Sequence, residues 1–276
     1  MKQYALLLLF SLAATQVHAD DVGAWLGADV QKNITKKLSV DAGIDLRAED
    51  NFNHLTRYAV GAGVGYAPLK CLKIGAGYNF IRDYNPGESR VKLDEDGDFK
   101  NYKVDNDYWR SKHRATFDVT GSLKAGRFTF SLRERYQYTH FVATTTTRTT
   151  YKGLVSAENA QGYTGTLYEA NGQYFTKCSS EEDDKPAKDR HYLRSRIGVE
   201  YSIRHTPWTP YASYEFSNNL GCGEHFHLDK QRLTVGAEWK VSKKHRLDFA
   251  YVYNHGNDDD GDNNCHVLSI GYKFKF

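Results

Sequence analysis

The sequence has no long apolar run that could form a transmembrane helix. After residue 19, no stretch of about 18 or more consecutive apolar residues occurs. The chain has one methionine and five prolines, and scarce proline suits a strand-rich protein because proline interrupts strand pairing. Acidic and basic residues nearly balance, with a formal charge of +3. This balance argues against a nucleic-acid-binding surface, and no motif implies a cofactor.

Residues 1–19 have the features of a cleavable secretory signal peptide. Lys2 supplies the positive charge, residues 5–14 form an apolar stretch too short to span a bilayer, and Val17 and Ala19 suit a cleavage site. The mature chain is therefore expected to begin at Asp20. No cysteine follows the cleavage site to carry a lipid, so a lipoprotein anchor is not expected.

The last residues alternate strictly between apolar and polar side chains. Ile270, Tyr272, Phe274 and Phe276 are separated by single small or basic residues, which predicts an amphipathic strand. The same period of two recurs along the chain in segments 38–47, 58–66, 72–80, 114–123, 128–135, 193–201, 212–216, 232–240 and 246–253. A soluble β-sandwich is the alternative, but the pattern is typical of strands with one face in lipid and one in a polar lumen.

The connections between these segments alternate in length. Short turns are expected at residues 67–70, 124–127, 205–208 and 242–245, and longer polar loops at 49–54, 84–112, 142–190, 217–230 and 254–265. Short periplasmic turns and long outer loops are typical of outer-membrane barrels. Twenty Tyr, fourteen Phe and four Trp suit aromatic girdles at the two interfaces.

We therefore predict an all-β protein, a transmembrane antiparallel up-and-down barrel of about 10–12 strands formed by residues 20–276, in the outer membrane of a Gram-negative cell. Residues 22–34 also alternate and would bring the count to eleven, although bacterial single-chain barrels are even-numbered. Either this segment is not a full barrel strand or a further strand pairs with it. Glu134 interrupts the lipid-facing side of its strand, and a β-bulge there would redirect it.

Three stretches resemble one family of outer-membrane barrels. These are Gly23-Ala-Trp-Leu-Gly-Ala-Asp-Val-Gln-Lys-Asn-Ile-Thr-Lys-Lys-Leu-Ser-Val40, Asp45-Leu-Arg47 and the Tyr78-Asn-Phe80 strand. The family they resemble is known as domain of unknown function 2490. The resemblance covers most of the mature chain and implies a barrel fold and an outer-membrane location. It implies no activity and no catalytic residues.

The polar side of the predicted strands is rich in charge. It includes Asp41 and Asp45, and its principal charges are Arg114, Asp118, Arg133, Arg135, Arg194, Arg196, Glu200, Glu215, Glu238 and Asp248. In one interpretation these residues pair across the lumen and hold the barrel shut or nearly shut. In the other they line a narrow pore whose Arg133, Arg135, Arg194 and Arg196 attract anions.

The predicted loops carry further candidate sites. One disulfide is expected among Cys178, Cys222 and Cys265, with connectivity open, while Cys71 lies by a short turn. Residues 222–227, with Cys222, His225 and His227, resemble a metal-ligand cluster without diagnostic spacing. The acidic segments 181–184 and 257–264 are expected to be solvated loops, because the latter lacks the closing glutamate of a calcium loop. No resident metal is predicted.

Three functions remain open on the sequence alone. The first is a narrow channel or a structural barrel, and the second is a surface-binding protein that uses loops 84–112 and 142–190. The third is a lipid hydrolase using rim residues His140, His191, His266 and Ser269, but no spacing of nucleophile, base and acid supports it, so an enzyme is not expected. Expected partners are outer-membrane lipid and lipopolysaccharide, the barrel-assembly machinery through the strand that ends at Phe276, and a small solute or surface ligand.

Overall fold

A computed structural model describes residues 21–49, 51–221, 227–258 and 261–276. The predicted signal peptide lies outside these residues. The residues predicted as one barrel domain divide into two compact units. The barrel unit consists of the chain up to Asn79 together with Ala115–Tyr138 and Arg190–Phe276, and the second unit of Phe80–Arg114 and Thr139–Asp189.

The described residues form sixteen strands and one short helix. In chain order they are β1 (Asp21–Asn33), β2 (Leu38–Glu49), β3 (His54–Leu69), β4 (Leu72–Asn85), β5 (Glu88–Leu93), β6 (Phe99–Asp105), β7 (Tyr108–Ala125), β8 (Phe128–Phe141), β9 (Thr144–Val155), α1 (Ala157–Ala160), β10 (Tyr168–Ala170), β11 (Gln173–Lys185), β12 (Lys188–Tyr201), β13 (Trp208–Asn219), β14 (His227–Lys240), β15 (His245–Asp258) and β16 (Gly261–Lys275). In the parts of the chain that are described, no helix is long and apolar enough to cross a membrane.

Eleven strands close the barrel, in the order β1-β16-β15-β14-β13-β12-β8-β7-β4-β3-β2. This confirms the predicted barrel and its strand number, and it shows that segment 22–34 is a full barrel strand. β1 pairs with β2 in antiparallel fashion and with β16 in parallel, from Asp21 opposite Cys265 to Gln31 opposite Lys275. An odd number of up-and-down strands makes the first and the last run in the same direction, so only a parallel pair can close the ring.

The predicted alternation places apolar side chains on the outside of the barrel. Large apolar residues that are well exposed occur at every second position of the barrel strands; examples are Leu26, Val30, Ile44, Leu46, Val60, Val64, Tyr78, Phe117, Phe130, Leu132, Ile197, Val235, Leu268 and Ile270. In water this surface would be unfavourable, whereas in hydrocarbon it is the preferred one. The intervening polar residues face the lumen.

Local chemistry makes the short turns tight. The Thr35 hydroxyl accepts hydrogen bonds from the backbone N–H groups of Lys37 and Leu38, and the Ser242 hydroxyl accepts them from Lys244 and His245. Gly126 adopts a φ of 62° between β7 and β8, a conformation that glycine reaches without steric cost. These contacts satisfy backbone donors that the strand ladder leaves open.

The second unit contains a five-stranded sheet in the order β10-β11-β9-β6-β5. The segments predicted as long outer loops, 84–112 and 142–190, therefore contain paired strands. Residues 254–265 were also expected to be a loop, but β15 and β16 extend into this segment and pair Asn254 with Cys265. The strands of the five-stranded sheet lack the repeated apolar face that identified the barrel strands, so periodicity did not reveal them.

Charge pairs and an aromatic cluster stabilise this sheet. Asp105 on β6 lies opposite Arg148 on β9 and accepts hydrogen bonds from Arg148 Nε (2.5 Å) and Nη2 (2.9 Å). The Arg148 guanidinium holds the pKa of the Asp105 carboxyl below its ordinary value. Phe175 is fully buried and packs against Tyr102 and Tyr151, with ring centroids 6.0 and 5.3 Å away. Specific pairs thus replace the broad apolar face of an ordinary sheet.

Candidate functional site in the barrel lumen

One side of the lumen contains an open polar cavity. Its volume is about 320 Å³, and residues of β1, β2, β3, β4, β7 and β8 line it. Glycines form much of the wall, namely Gly43, Gly61, Gly63, Gly65, Gly75 and Gly77. A space of this size corresponds to about ten water molecules at roughly 30 Å³ each.

The glycines keep this cavity open because polar side chains from neighbouring strands lie against them. A Cβ atom on Gly63 would lie 2.9 Å from Asp41 Oδ2, and one on Gly75 would lie 2.8 Å from Asp118 Oδ2. A Cβ on Gly43 would clash with Asp29 Oδ1 at 2.2 Å. Each carboxylate therefore folds flat along the wall instead of crossing the lumen. Larger residues at the glycine positions would push these groups into the cavity.

Carboxylates outnumber cations in the cavity wall. Four aspartates, Asp29, Asp41, Asp45 and Asp118, lie with Lys73 and Arg135. Asp118 accepts a hydrogen bond from Arg135 at 2.9 Å. Among the described residues, neither Asp29 nor Asp41 forms a hydrogen bond or an ion pair, although Lys273 is opposite Asp29 in the strand register. Two carboxylates thus line the cavity without a bound partner in the described part of the chain.

The other side of the lumen is filled by arginines around Glu215 on β13. Arg133 and Arg194 both form ion pairs with Glu215, and Arg232 Nη1 lies 4.0 Å from its carboxylate. Arg194 also donates a 2.9 Å hydrogen bond to Gln137. The Glu215 side chain is only 7% exposed, so these pairs are shielded from water and bind more strongly than surface pairs.

Arg196 on β12 stands apart from this set. It lies opposite Glu215 in the register, yet it forms no hydrogen bond or ion pair with any residue that the structure describes. Its charge is repelled by Arg135 and Arg194 and attracted by Glu215. The cluster therefore contains four arginines around one glutamate, and among the described residues Arg196 has no bound acceptor.

Trp25 on β1 packs against two arginines, Arg47 on β2 and Arg232 on β14. Its ring lies 3.9 Å from the Arg47 guanidinium and 4.9 Å from that of Arg232, measured from the ring centroid. Its indole Nε1 donates a 2.9 Å hydrogen bond to Glu49. Cation–π contacts of this kind strengthen when they are buried, and Trp25 is only 8% exposed.

Small and apolar inward residues pack beneath this indole. Ala250, Val252 and Val267 are buried with Trp25 in one cluster, and Tyr211 packs against it. Pattern analysis gave no role to Trp25, Arg47 or Arg232. Arg47 and Arg232 lie on the polar side of their strands, so the alternation itself could have identified them.

The remaining predicted lumen charges have different surroundings. Glu238 accepts a 2.6 Å hydrogen bond from Arg246, and Asp248 accepts one of 2.8 Å from the Tyr211 hydroxyl. Glu200 is exposed, and Arg114 belongs to the second unit. Of the four arginines that were expected to attract anions, Arg133, Arg135 and Arg194 are already bound to carboxylates of the chain itself.

Glu134, the acidic residue in a lipid-facing series, has a partner on the neighbouring strand. The Ser195 hydroxyl donates a 2.6 Å hydrogen bond to its carboxylate, and Ser195 is buried. An unpartnered carboxylate would be costly at such a position. The sequence pattern could not show this contact because the two residues are 61 positions apart.

The predicted disulfide and metal sites are only partly within the described residues. Cys71, Cys178 and Cys265 carry free thiols, while Cys222 and His225 lie outside the described residues, as does the side chain of His227. In the described part of the chain, no group of three or more His, Cys, Asp or Glu residues is placed to hold a metal ion. The acidic segment 181–184 lies within β11 and is paired with β9, not in a loop.

The candidate rim residues take part in ordinary structural contacts. His140 Nδ1 lies 2.7 Å from Asp189 Oδ1 in the second unit. In the barrel unit, His191 Nδ1 lies 2.7 Å from the Tyr136 hydroxyl, and His266 is hydrogen-bonded to Tyr251. Ser269 faces Trp25 in the strand register.

Three solved structures are similar to this chain at 11–12% identity. The β-domain of the Bordetella autotransporter BrkA is 12% identical, with 87% of this chain and 82% of that chain covered and a TM-score of 0.48. The translocator domain of the autotransporter NalP from Neisseria meningitidis is 11% identical, with 96% and 91% covered and a TM-score of 0.48. The outer-membrane protease OmpT from Escherichia coli is 11% identical, with 82% and 80% covered and a TM-score of 0.38.

The family comparison agrees with the resemblance seen in the sequence. No curated protein matches the chain. The family model described as "Protein of unknown function (DUF2490)" matches residues 22–265, which includes ten of the eleven barrel strands in full or nearly in full and the start of β16. The chain therefore belongs to the DUF2490 family.

Proposed function

We propose that this protein is a narrow channel for small polar solutes in the bacterial outer membrane. The observation that carries the proposal is the polar, glycine-lined cavity of about 320 Å³ inside a closed barrel. A structural barrel with no transport role would gain by filling this space, because close packing favours the folded state.

The membrane location is supported by the outer surface of the barrel. Exposed apolar residues alternate with lumen-facing polar ones along the strands, as a lipid-embedded wall requires. Aromatic contacts flank this surface, including the stacked Trp208 and Trp239 with centroids 5.4 Å apart. Amphipathic aromatic rings of this type favour the lipid–water interface.

The arginine side of the lumen would act as the constriction of the channel. Arg133, Arg194 and Arg232 surround Glu215, and Trp25 packs against Arg232 and Arg47. Because these groups are bound to one another, they stay in place and leave the glycine side as the passage. A passage of this size would admit small solutes and exclude folded proteins.

Single-channel conductance in a planar bilayer tests this function. The mature protein should give small, steady conductance steps. The double variant Gly63→Leu/Gly75→Leu should reduce them severalfold, because the new side chains and the displaced Asp41 and Asp118 would fill the cavity. The matched control Ala62→Leu/Ala76→Leu adds nearly as much apolar bulk at adjacent outward, exposed positions and should conduct like the parent.

Two results would contradict the channel. One is a folded, heat-modifiable barrel that gives no conductance. The other is equal conductance in the inward and outward leucine variants, since current would then not pass along the glycine side.

A further inference from the structure

Positive charges lie directly opposite each other on one face of the five-stranded sheet. In the strand register Arg90 on β5 is paired with Lys103 on β6, and Lys152 on β9 is paired with Lys177 on β11. Lys103 lies opposite Thr150, two residues before Lys152, so side-chain alternation places both pairs on the same face. Like charges in directly opposite positions destabilise a sheet.

A fifth cation and a buried amide lie between these pairs. Lys92 on β5 is opposite Asn101 on β6, and Asn101 is next to Lys152 across the β6–β9 ladder because Tyr102 is opposite Tyr151. Asn101 is only 6% exposed, and its side-chain Oδ1 has no hydrogen-bond partner in the described part of the chain. A buried acceptor without a donor is costly, and a ligand hydroxyl that reaches it would remove this cost.

We call these five cations the basic patch, which consists of Arg90, Lys92, Lys103, Lys152 and Lys177. Four of them are exposed and Lys103 is half-buried. Among the described residues, Arg90 is the one patch cation that forms an ion pair, with Asp105 at 3.3 Å. The acidic residues of the same face lie beyond the patch, toward the other end of the strands; they are Glu88, Asp105, Glu181 and Asp183. Asp105 and Asp183 are both bound to Arg148, so most of the patch charge is not neutralised.

Protection of a sheet edge does not explain the basic patch. Lysines on edge strands prevent the addition of another chain, and Lys92 on the edge strand β5 could serve in this way. Lys103 and Lys152, however, lie on β6 and β9, which are paired on both sides. The opposed positive charges on these inner strands therefore need another counterpart.

The size of the basic patch indicates a ligand with several anionic groups. Lys92 and Lys177 lie three strand spacings apart in the order β11-β9-β6-β5, a distance of about 14 Å at about 4.8 Å per strand. A single phosphate or carboxylate would reach only one of the opposed pairs. The positions between the cations carry Asn101, Thr150 and Ser179, which are polar groups that can bind sugar hydroxyls, and not the aromatic rings on which nucleic-acid bases stack.

We propose that the basic patch binds an acidic polysaccharide. Its carboxylate or sulfate groups would lie between the opposed cations, and a hydroxyl would donate a hydrogen bond to Asn101. The sheet is formed by segments that are expected to lie outside the cell, since the short turns are expected in the periplasm. This binding site is independent of the proposed channel.

Calorimetric titration of the refolded mature chain in detergent with chondroitin sulfate tests the proposal. This polysaccharide carries a carboxylate and a sulfate in each disaccharide repeat, and uncharged dextran is the control ligand. Chondroitin sulfate should bind and dextran should not. The affinity should fall as salt is added, because exposed ionic contacts are screened.

Variants test the position of the site. Lys152→Gln/Lys177→Gln should weaken binding by roughly fivefold or more, as expected for the loss of two solvated ionic contacts. The matched control Lys100→Gln/Lys70→Gln changes the net charge equally and should bind like the parent. Lys100 is exposed on the opposite face of β6, and Lys70 is exposed in the turn between β3 and β4.

A charge reversal separates loss of binding from loss of folding. Lys177→Glu would place opposite charges across from each other, which favours the sheet, and it should still weaken binding. The proposal is overturned if chondroitin sulfate does not bind the parent, or if the patch and control variants lose affinity equally. A DNA oligonucleotide that binds as tightly as chondroitin sulfate would overturn the assignment to a polysaccharide.

Discussion

The two sides of the barrel lumen are built from the same kinds of charged residue but differ in packing. On the arginine side, Arg133 and Glu215 are 12% and 7% exposed at their side chains. On the glycine side, the comparable pair Arg135–Asp118 is 26% and 15% exposed. The difference follows from the neighbours, because the arginine cluster is covered by other large side chains and Asp118 lies over a glycine. Neighbour size thus decides whether an ion pair closes the lumen or lines it.

The largest effect is expected when the arginine side loses its carboxylate. Glu215→Ala would leave Arg133, Arg194, Arg196 and Arg232 facing one another, so the free energy of unfolding should fall by about 3–5 kcal/mol. Urea unfolding in lipid vesicles, followed by tryptophan fluorescence, would measure this loss.

Glu200→Ala is the control for that experiment. Like Glu215 on β13, Glu200 lies on the polar side of its strand, β12. It is exposed, however, and forms no ion pair with a described residue, so its loss should change the free energy of unfolding by less than about 0.5 kcal/mol. Equal destabilisation by the two variants would show that the arginine side does not depend on Glu215.

An intermediate loss in the free energy of unfolding is expected when Trp25 is replaced. Trp25→Phe keeps most of the apolar packing but removes the hydrogen bond to Glu49 and weakens the contacts with Arg47 and Arg232. The free energy of unfolding should fall by about 1–2 kcal/mol. The same unfolding experiment applies. The matched variant Trp239→Phe removes an indole that stacks on Trp208 and should cost less, and a larger loss there would contradict the role given to Trp25.

The smallest loss in the free energy of unfolding is expected when the glycine side loses its ion pair. Asp118→Asn removes the ion pair with Arg135 at 2.9 Å, but water in the cavity can solvate the freed guanidinium. The loss in free energy of unfolding should therefore stay below about 1 kcal/mol. A loss comparable to that of Glu215→Ala would mean that the two sides of the lumen are equally closed. It would contradict the difference in packing between them.

Pattern analysis identified the barrel strands because lipid and lumen impose a strict period of two. Every segment predicted from alternation coincides with a strand of the barrel order, and only Ile34 and Phe276 fall one residue beyond a strand end. It did not identify the sheet of β5, β6, β9, β10 and β11, because pairs such as Asp105–Arg148 and the burial of Phe175 stabilise this sheet without a repeated apolar face. The surface-binding hypothesis for these segments stays a prediction, now attached to an ordered sheet.

In the candidate site, too, the local pattern predicted which residues face the lumen but not which of them bind one another. Alternation indicated that Arg133, Arg135, Arg194, Arg196 and Glu215 would face inward. It could not indicate that Glu215 binds Arg133 and Arg194, while Arg196 has no acceptor among the residues that the structure describes. Those pairings join residues up to 82 positions apart, and they depend on which strands become neighbours.

The sequence by itself determined the fold class, the alternation of barrel side chains between outside and lumen, and the polar nature of the lumen, because these depend on the two-residue period of an extended chain. The tertiary structure alone decided the closure of eleven strands through the parallel β1–β16 pair. It also decided the separation of an arginine side from a glycine side. Both depend on strand register and on contacts between distant residues, which a local pattern does not contain.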